Sequence, residues 1–265
     1  MATSISNQVN NDIYDQLGER WYHAKDDPIA LLRAEARARN PWVIAEIQSV
    51  FSQAKVLDIG CGAGLLSNEL SRQGMDVTGV DISEASLAVA RRYDTAGRVN
   101  YRSCDANQLP FADGSFDVAC ALDFLEHVET PSKVVAEAAR VLRPGGLFFF
   151  HTFNRNFIAW LFGIKGVEWF VKNTPRNLHC YRNFIKPSEL ISMCRQSGLQ
   201  VMAMRGLEPV IGQRAFWKML ATGIVDDEFE FKFTKSSLLG YTGFARKSAR
   251  QIGGMAETGA IKCEQ

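Results

Sequence analysis

The chain has 265 residues, 46% of them hydrophobic and 22% charged, with Lys+Arg 30 against Asp+Glu 29. That length suits one large α/β domain or a domain with a modest insertion, and the near-zero net charge excludes the electrostatic footprint of a nucleic-acid binder. Six cysteines at 61, 104, 120, 180, 194 and 263 form no C-x-x-C pair, which argues against a structural zinc site and a disulfide scaffold; with no secretory h-region and no bilayer-length apolar run, a cytoplasmic chain is expected.

Residues 1–10 are polar, and helical patterning follows at 11–22 and at 28–51, the second stretch rich in Ala, Arg and Leu. From residue 54 the chain alternates strand and helix. Strands are predicted at 54–60, 76–80, 98–103, 116–122 and 146–152, and helices at 64–73, 84–94 and 131–142. Such βαβ alternation predicts a parallel sheet with helices on both faces. Residues 154–186 interrupt the rhythm, a helix at 187–197 restores it, and strands at 199–206 and 240–247 complete the sheet. The expected fold is α/β, a Rossmann-like, seven-stranded, mostly parallel sheet. It carries an N-terminal helical cover (1–53), a main domain (54–250) with an insertion after the fifth strand (154–186), and a C-terminal tail (251–265).

The first strand breaks into Asp58-Ile-Gly60-Cys61-Gly62-Ala-Gly64. Alternate glycines let the backbone approach a ligand that side chains would exclude. The spacing is G-x-G-x-G, with Leu65 where the dinucleotide fingerprint G-x-G-x-x-G wants a small residue. A pyrophosphate on a helix N-terminus also disfavours the fixed charge of Asp58. S-adenosylmethionine (SAM), with its ammonium and sulfonium, accommodates that charge.

In open parallel sheets, ligands bind beyond the carboxyl ends of the strands, where strand order reverses. Four such ends carry acids. They are Asp58, Asp81, Asp105 (followed by Ala106, placed to face an adenine) and Asp123 after Leu122. Asp81 stands about twenty residues past the first loop glycine, where an acid takes ribose hydroxyls. One acid at a strand end is ordinarily a cap or turn residue; four in succession point to a cofactor.

Val56-Leu-Asp-Ile-Gly-Cys-Gly-Ala-Gly64, Gly79-Val-Asp-Ile-Ser83, Leu109-Pro-Phe-Ala-Asp-Gly-Ser-Phe-Asp-Val118 and Val141-Leu-Arg-Pro-Gly-Gly146 together resemble the class I SAM-dependent methyltransferases, over about 54–153. The resemblance implies SAM as cofactor, held by Asp58, Gly60, Cys61, Gly62, Gly64, Asp81, Ile82, Asp105, Ala106 and Leu122. Leu125-Glu-His-Val128, His151-Thr-Phe-Asn-Arg-Asn156 and Phe184-Ile-Lys-Pro-Ser-Glu-Leu190 are similar to the ubiquinone-biosynthesis O-methyltransferase family, over about 12–247. That similarity implies methyl transfer to a phenolic or catecholic hydroxyl of a prenylated quinone precursor. The alternative acceptor is an aromatic natural product or another small molecule.

In that family the fourth-strand exit reads E-x-x-E-H, and its acids and histidine are implicated in binding a divalent cation. Here it reads Asp123-Phe-Leu-Glu126-His127, one ligand shorter by a methylene. The resemblance thus implies Asp123, Glu126 and His127 as catalytic residues and as ligands of Mg²⁺. Two other readings of the same residues stand beside it: His127 as a general base without metal, and Glu126 with His127 as ordinary residues opening a helix.

His151 and His179 are secondary candidates, with Asn154, Arg155 and Asn156 beside the former; His23 has no supporting context. Tyr14, Arg20, Trp21 and Tyr22 lie on an N-terminal segment expected to close over the cofactor. Arg39 is read either as reaching the SAM carboxylate or as a surface ion pair. The insertion is strongly apolar (Phe157, Trp160, Phe162, Trp169 and Phe170 among others), interrupted by Lys165, Lys172 and Arg176. It reads as a substrate lid and, through 157–176, as a peripheral membrane contact. The expected location is therefore cytoplasmic or at the inner face of a membrane.

Overall fold

Consecutive apolar residues in the central strands imply a sheet covered on both faces, because neighbouring side chains along a strand point to opposite sides. The computed structural model, which describes residue 11, residues 13–175 and residues 178–248, has that architecture; the expected tail at 251–265 lies outside those residues. The strands are β1 (Lys55–Ile59), β2 (Asp76–Asp81), β3 (Asn100–Ser103), β4 (Phe116–Leu122), β5 (Leu142–Phe153), β6 (Leu199–Pro209), β7 (Phe231–Thr234) and β8 (Gly240–Lys247). They form one sheet in the order β3-β2-β1-β4-β5-β8-β6-β7. Pairing is parallel from β3 through β5 and antiparallel from β5 outward.

On one face Val56, Val77, Val118, Cys120, Leu147 and Phe149 pack under Val43 and Ile47 of the long helix Ile29–Val50 and under Leu70 of the helix Ser67–Arg72. On the other, Leu57, Ile59, Ala119, Ala121, Phe148 and Phe150 pack under Val134, Val135 and Ala138 of the helix Pro131–Val141 and under Leu190 and Cys194 of the helix Pro187–Gln196. Phe148, Phe149 and Phe150 are all fully buried, each worth about 1.5–3 kcal/mol of transfer free energy. Strand order reverses between β1 and β4, so a crevice opens beyond their carboxyl ends.

The sheet has eight strands where seven were expected. The addition is β7, whose surrounding run Phe229-Glu-Phe-Lys-Phe233 alternates aromatic and charged residues with the period of a half-buried strand. A helix at Arg214–Thr222 was likewise not anticipated. The expected helix at 11–22 is instead two single turns, Ile13–Gln16 and Arg20–His23, parted near Gly18, whose φ of +47° suits glycine. The helix Ile29–Val50 runs through Pro41, which removes one backbone donor; burial of residues on both sides of the proline carries it across.

Candidate active site

One side of the crevice, where the cofactor is expected, is built from backbone. Leaving β1, the amides of Gly60 and Cys61 both donate to the Val80 carbonyl, at 2.8 and 3.0 Å. This folds the loop back over β2. The Gly62 amide then donates to Asp81 Oδ2 at 2.8 Å, and the Ser83 amide to Asp81 Oδ1 at 2.9 Å. Gly60, Gly62 and Gly64 all have positive φ, at +69°, +51° and +77°, a region closed to most side chains. Gly60 lies directly under the Phe124 ring: a Cβ there would stand 2.1 Å from Phe124 Cδ2.

Asp58 is buried and accepts a 2.6 Å hydrogen bond from Ser67 Oγ; burial pushes its carboxyl up to about 6. Burial raises Asp81 as well, against the backbone donors that stabilise its charge.

The other side is built from side chains. Asp123 ends β4 with φ +54°, unusual for a non-glycine residue. It is held there by its own amide, which donates to the His151 carbonyl at 3.1 Å, and by Arg39 Nη1, which donates to Oδ2 at 2.7 Å. Burial opposes ionisation of Asp123, but the Arg39 guanidinium and His151 hold its carboxyl below the usual range. Its Oδ1 is 3.4 Å from Nε2 of the fully buried His151. Glu35, one turn before Arg39 on the same helix, joins Asp123 and His151 with polar atoms within 4.8 Å of one another. Burial, with the charge of Asp123, keeps Glu35 well above the usual carboxylate range.

Next to this group, Glu126 Oε2 accepts a 2.7 Å hydrogen bond from Thr152 Oγ1, and burial pushes Glu126 up to about 8. His127 stands with its ring 5.7 Å from Tyr14 and 5.3 Å from His179. The His179 ring lies in turn against Phe153 and Phe184. Burial lowers His127 and His151 to about 4 and His179 to about 3, so all three imidazoles are neutral at pH 7.

A cleft at the β1/β4 switch is lined by Asp58, Gly60, Cys61, Gly62, Asp81, Ile82, Leu122, Asp123 and His127, and by Tyr14, Trp21 and Arg39 of the N-terminal segment. Most of the sequence-predicted residues therefore converge. Gly64, Asp105, Ala106 and Glu126 are not in its lining. A Cβ on Gly64 would meet the Tyr101 hydroxyl in the interior, at 2.2 Å. The Asp105 carboxylate accepts from the Asn107 amide at 2.8 Å, closing its own turn. Arg39 forms an ion pair, but a buried one rather than a surface one.

The implied cation triad Asp123, Glu126 and His127 does not assemble as one group: Asp123 falls with Glu35 and His151, and His179 joins Glu126 and His127. Glu35 had no individual signal in the sequence reading. Its clue is charge on the buried face of an Ala-rich helix, one turn from Arg39. Phe124, which roofs Gly60, had none beyond its place next to Asp123.

Comparison with known proteins identifies the family. A family model described as a methyltransferase domain matches residues 57–150. The ubiquinone biosynthesis O-methyltransferase of Bordetella avium is 38% identical over 204 residues, 76% of this chain and 84% of that protein. The protein of the same name from Aromatoleum aromaticum is 38% identical over 197 residues, 73% of this chain and 83% of that protein. Among solved structures, magnesium protoporphyrin IX methyltransferase from Synechocystis with bound SAH superposes with a TM-score of 0.63 at 16% identity, covering 90% of this chain and 96% of that one. A SAM-dependent methyltransferase from Thermotoga maritima gives 0.57 at 18% identity, covering 89% and 99%. The structural likenesses establish the fold, and the sequence kinship establishes the family. This chain is a SAM-dependent O-methyltransferase and belongs to the ubiquinone biosynthesis O-methyltransferase family.

Proposed function

We propose that the methyl acceptor is a phenolic or catecholic hydroxyl on the ring of a prenylated quinone precursor. The observation that carries this reading is the aromatic and imidazole wall of Tyr14, Phe153, Phe184, His127 and His179, gathered beside buried Glu126. Tyr14 and His127 line the cleft, so a flat acceptor ring would lie against these two, with His179, Phe153 and Phe184 packed behind. In the transfer, a lone pair of the acceptor oxygen attacks the methyl carbon in line with the sulfur. The carbon–sulfur bond breaks, its electron pair neutralises the sulfonium, and the hydroxyl proton leaves to a base. Holding the reactants at near-attack geometry supplies roughly 7–11 kcal/mol.

The proton is the harder problem. A phenol of pKa about 10 is ionised to only about one part in a thousand at pH 7. His127 is free to accept a proton, but at about 4 it is a weak base for such an acid. Glu126, at about 8, is better matched yet largely protonated at neutral pH. A divalent cation beside these residues would lower the pKa of the hydroxyl and relieve that mismatch. The Mg²⁺ set that includes Asp123 fits poorly, because Asp123 groups with Glu35 and His151 rather than with Glu126 and His127, and a guanidinium takes one of its two oxygens.

Asp58, Gly60, Cys61, Gly62, Asp81, Ile82 and Leu122 are proposed to hold SAM. Residues 1–53 are proposed to cover the cleft, since Tyr14, Trp21 and Arg39 line it. The insertion over 154–186 is proposed to close the acceptor side and to rest on a membrane surface. Phe157, Phe162 and Trp169 of its helical turns are 65%, 58% and 64% exposed, a protruding apolar face of the kind that enters lipid headgroups. Lys165 of this stretch is paired with Glu168 at 2.6 Å, which offsets part of its charge, and Arg176 lies outside the described residues. Among the described residues no helix is long and apolar enough to cross a membrane.

The test is transfer of labelled methyl from SAM to catechols with and without a prenyl tail, in solution and on phosphatidylglycerol vesicles. Preferred methylation of the prenylated catechol on vesicles is expected, with Trp169→Glu and Phe162→Glu removing the vesicle advantage. SAM binding without transfer to any catechol would move the enzyme to another acceptor class.

A further inference from the structure

Trp21 belongs to the single turn Arg20–His23 of the N-terminal segment, lines the cleft and is 5% exposed. One edge of its indole lies on the glycine loop: a Cβ added at Gly62 would stand 2.9 Å from Trp21 Cη2 and 3.3 Å from Cζ2. Its Nε1 is buried and has no hydrogen-bond partner. An indole N–H can only donate, and when buried it ordinarily finds an acceptor. Left unmet, such a donor costs free energy that natural proteins rarely leave uncompensated.

The surrounding chain fixes this indole closely. Arg33 donates to the carbonyls of Arg20, Trp21 and Ala24, so a guanidinium closes the carbonyl end of the turn. Next to Trp21, the Tyr22 ring stacks on Tyr93 with centroids 3.7 Å apart, and its hydroxyl donates to the Ala63 carbonyl at 2.9 Å. The turn is thereby tied to the glycine loop itself. Tyr14 stacks against the indole at 5.6 Å. The ring is held from every side, yet its N–H meets no protein acceptor.

A second buried donor in the same lining, Arg39 Nε, is also unpaired, while Arg39 Nη1 is engaged by Asp123. Asp123 Oδ1 is unpaired too, but it is an acceptor 3.4 Å from His151 Nε2 and offers nothing to an anion. A guanidinium and an indole N–H, both lacking acceptors, suit a carboxylate. SAM carries one, at its methionine end, whereas its adenine and ribose are neutral.

We infer that Trp21 is a cofactor-binding residue whose Nε1–H donates to the methionine carboxylate of SAM, beside Arg39. The inference deepens the reading of residues 1–53 as the cover of the cleft and rests on it. Hydrogen bonds to ionised groups are roughly twice as strong as neutral ones, so the carboxylate holds the cover down through this contact. SAM and its demethylated product SAH share that carboxylate, and both engage Trp21. A nucleoside without the amino-acid end does not.

The test is calorimetry of the full chain with SAH and with 5′-methylthioadenosine, which keeps the nucleoside and sulfur but lacks the amino-acid portion. Wild type is compared with Trp21→Phe, which leaves an aromatic ring on Gly62 and removes the N–H. SAH affinity should fall roughly 10–150-fold, with methylthioadenosine affinity unchanged. Unchanged SAH affinity overturns the inference, and so does an equal loss for both ligands, which would make Trp21 a packing surface only. If Trp21→Phe fails to fold, the wild type decides through its five indole N–H resonances, assigned by replacing the four other tryptophans one at a time. The Trp21 resonance should move downfield with SAH and stay in place with methylthioadenosine; a signal indifferent to SAH overturns the inference. Amide exchange over residues 13–24 tests the cover by itself. Protection by SAH together with full affinity in Trp21→Phe defeats this inference alone, whereas absence of protection defeats the cover reading and the inference with it.

Discussion

The two halves of the cleft are built on different principles. The cofactor half consists of strand ends and loop amides, and its acids are satisfied: Asp58 by Ser67, Asp81 by the amides of Gly62 and Ser83. The acceptor half consists of side chains drawn from the long helix Ile29–Val50, the β4 exit, β5 and the insertion. It concentrates the buried unpaired polar atoms, among them Asp123 Oδ1, Glu126 Oε1, His127 Nδ1 and both ring nitrogens of His151. Unsatisfied buried groups are expected where a protein trades stability for function. The proposed cofactor half thus has its acids already satisfied, whereas the proposed acceptor half keeps buried polar atoms without partners.

The contrast is most exposed to failure at the Arg39–Asp123 pair, which ties the long helix to the β4 exit. Arg39→Ala leaves a buried carboxylate alone and should cost about 3–5 kcal/mol of folding stability. The double variant Arg39→Met with Asp123→Leu should recover most of that loss. Denaturant unfolding measures both. If Arg39→Ala is nearly neutral, the pair is not a buried strut and the acceptor half is better solvated than the geometry implies.

A pH series sharpens the same point at His151. Burial keeps this imidazole neutral in the folded chain, at about 4, while the unfolded chain protonates near the usual histidine value of about 6.5. The unfolded state therefore binds more protons across that window, so this contribution is complete above the upper value and is lost as pH falls toward the lower one. The loss is on the order of 3 kcal/mol for a fully buried group. His151→Asn should flatten the acid side of the thermal-stability curve relative to wild type. Superimposable curves would mean that His151 charges freely in the folded state.

The smallest expected effect belongs to the cofactor half. Asp81→Ala removes the proposed acceptor for ribose hydroxyls and frees the Gly62 amide, so SAM affinity should fall by about 1.5–3 kcal/mol, roughly 10–150-fold. Calorimetry with SAM is the direct measurement. Unaltered affinity would remove Asp81 from the cofactor site.

Legibility followed the same division. The glycine loop, Asp58, Asp81, Ile82 and the β4 exit were readable because they are set by local rules. Positive φ demands glycine, and carboxyl ends of parallel strands face the ligand side in any open sheet. Asp105 and Ala106 obeyed the local rule yet fell outside the cleft lining, since the Asp105 carboxylate closes its own turn. His179 looked like a loop histidine, and only its docking against Phe153 and Phe184 brings it to His127. Glu35 was invisible as a site residue, because nothing local says which face of an Ala-rich helix will meet Asp123. β7 is an edge strand of four residues, too short for its aromatic–charged alternation to set it apart from a loop without the pairing to β6.

The sequence by itself determined the α/β architecture, the SAM-type loop and the candidate residues along the strand ends, because strand alternation, glycine conformation and strand-end chemistry are properties of short segments. Tertiary structure alone decided which of those residues share a pocket. It withdrew Asp123 into an ion pair with Arg39, gathered Glu126 and His127 with His179 from a segment about fifty residues away, and left their buried atoms unpaired. Those outcomes depend on how separate segments pack, and packing energy is a property of pairs that no single stretch of chain contains.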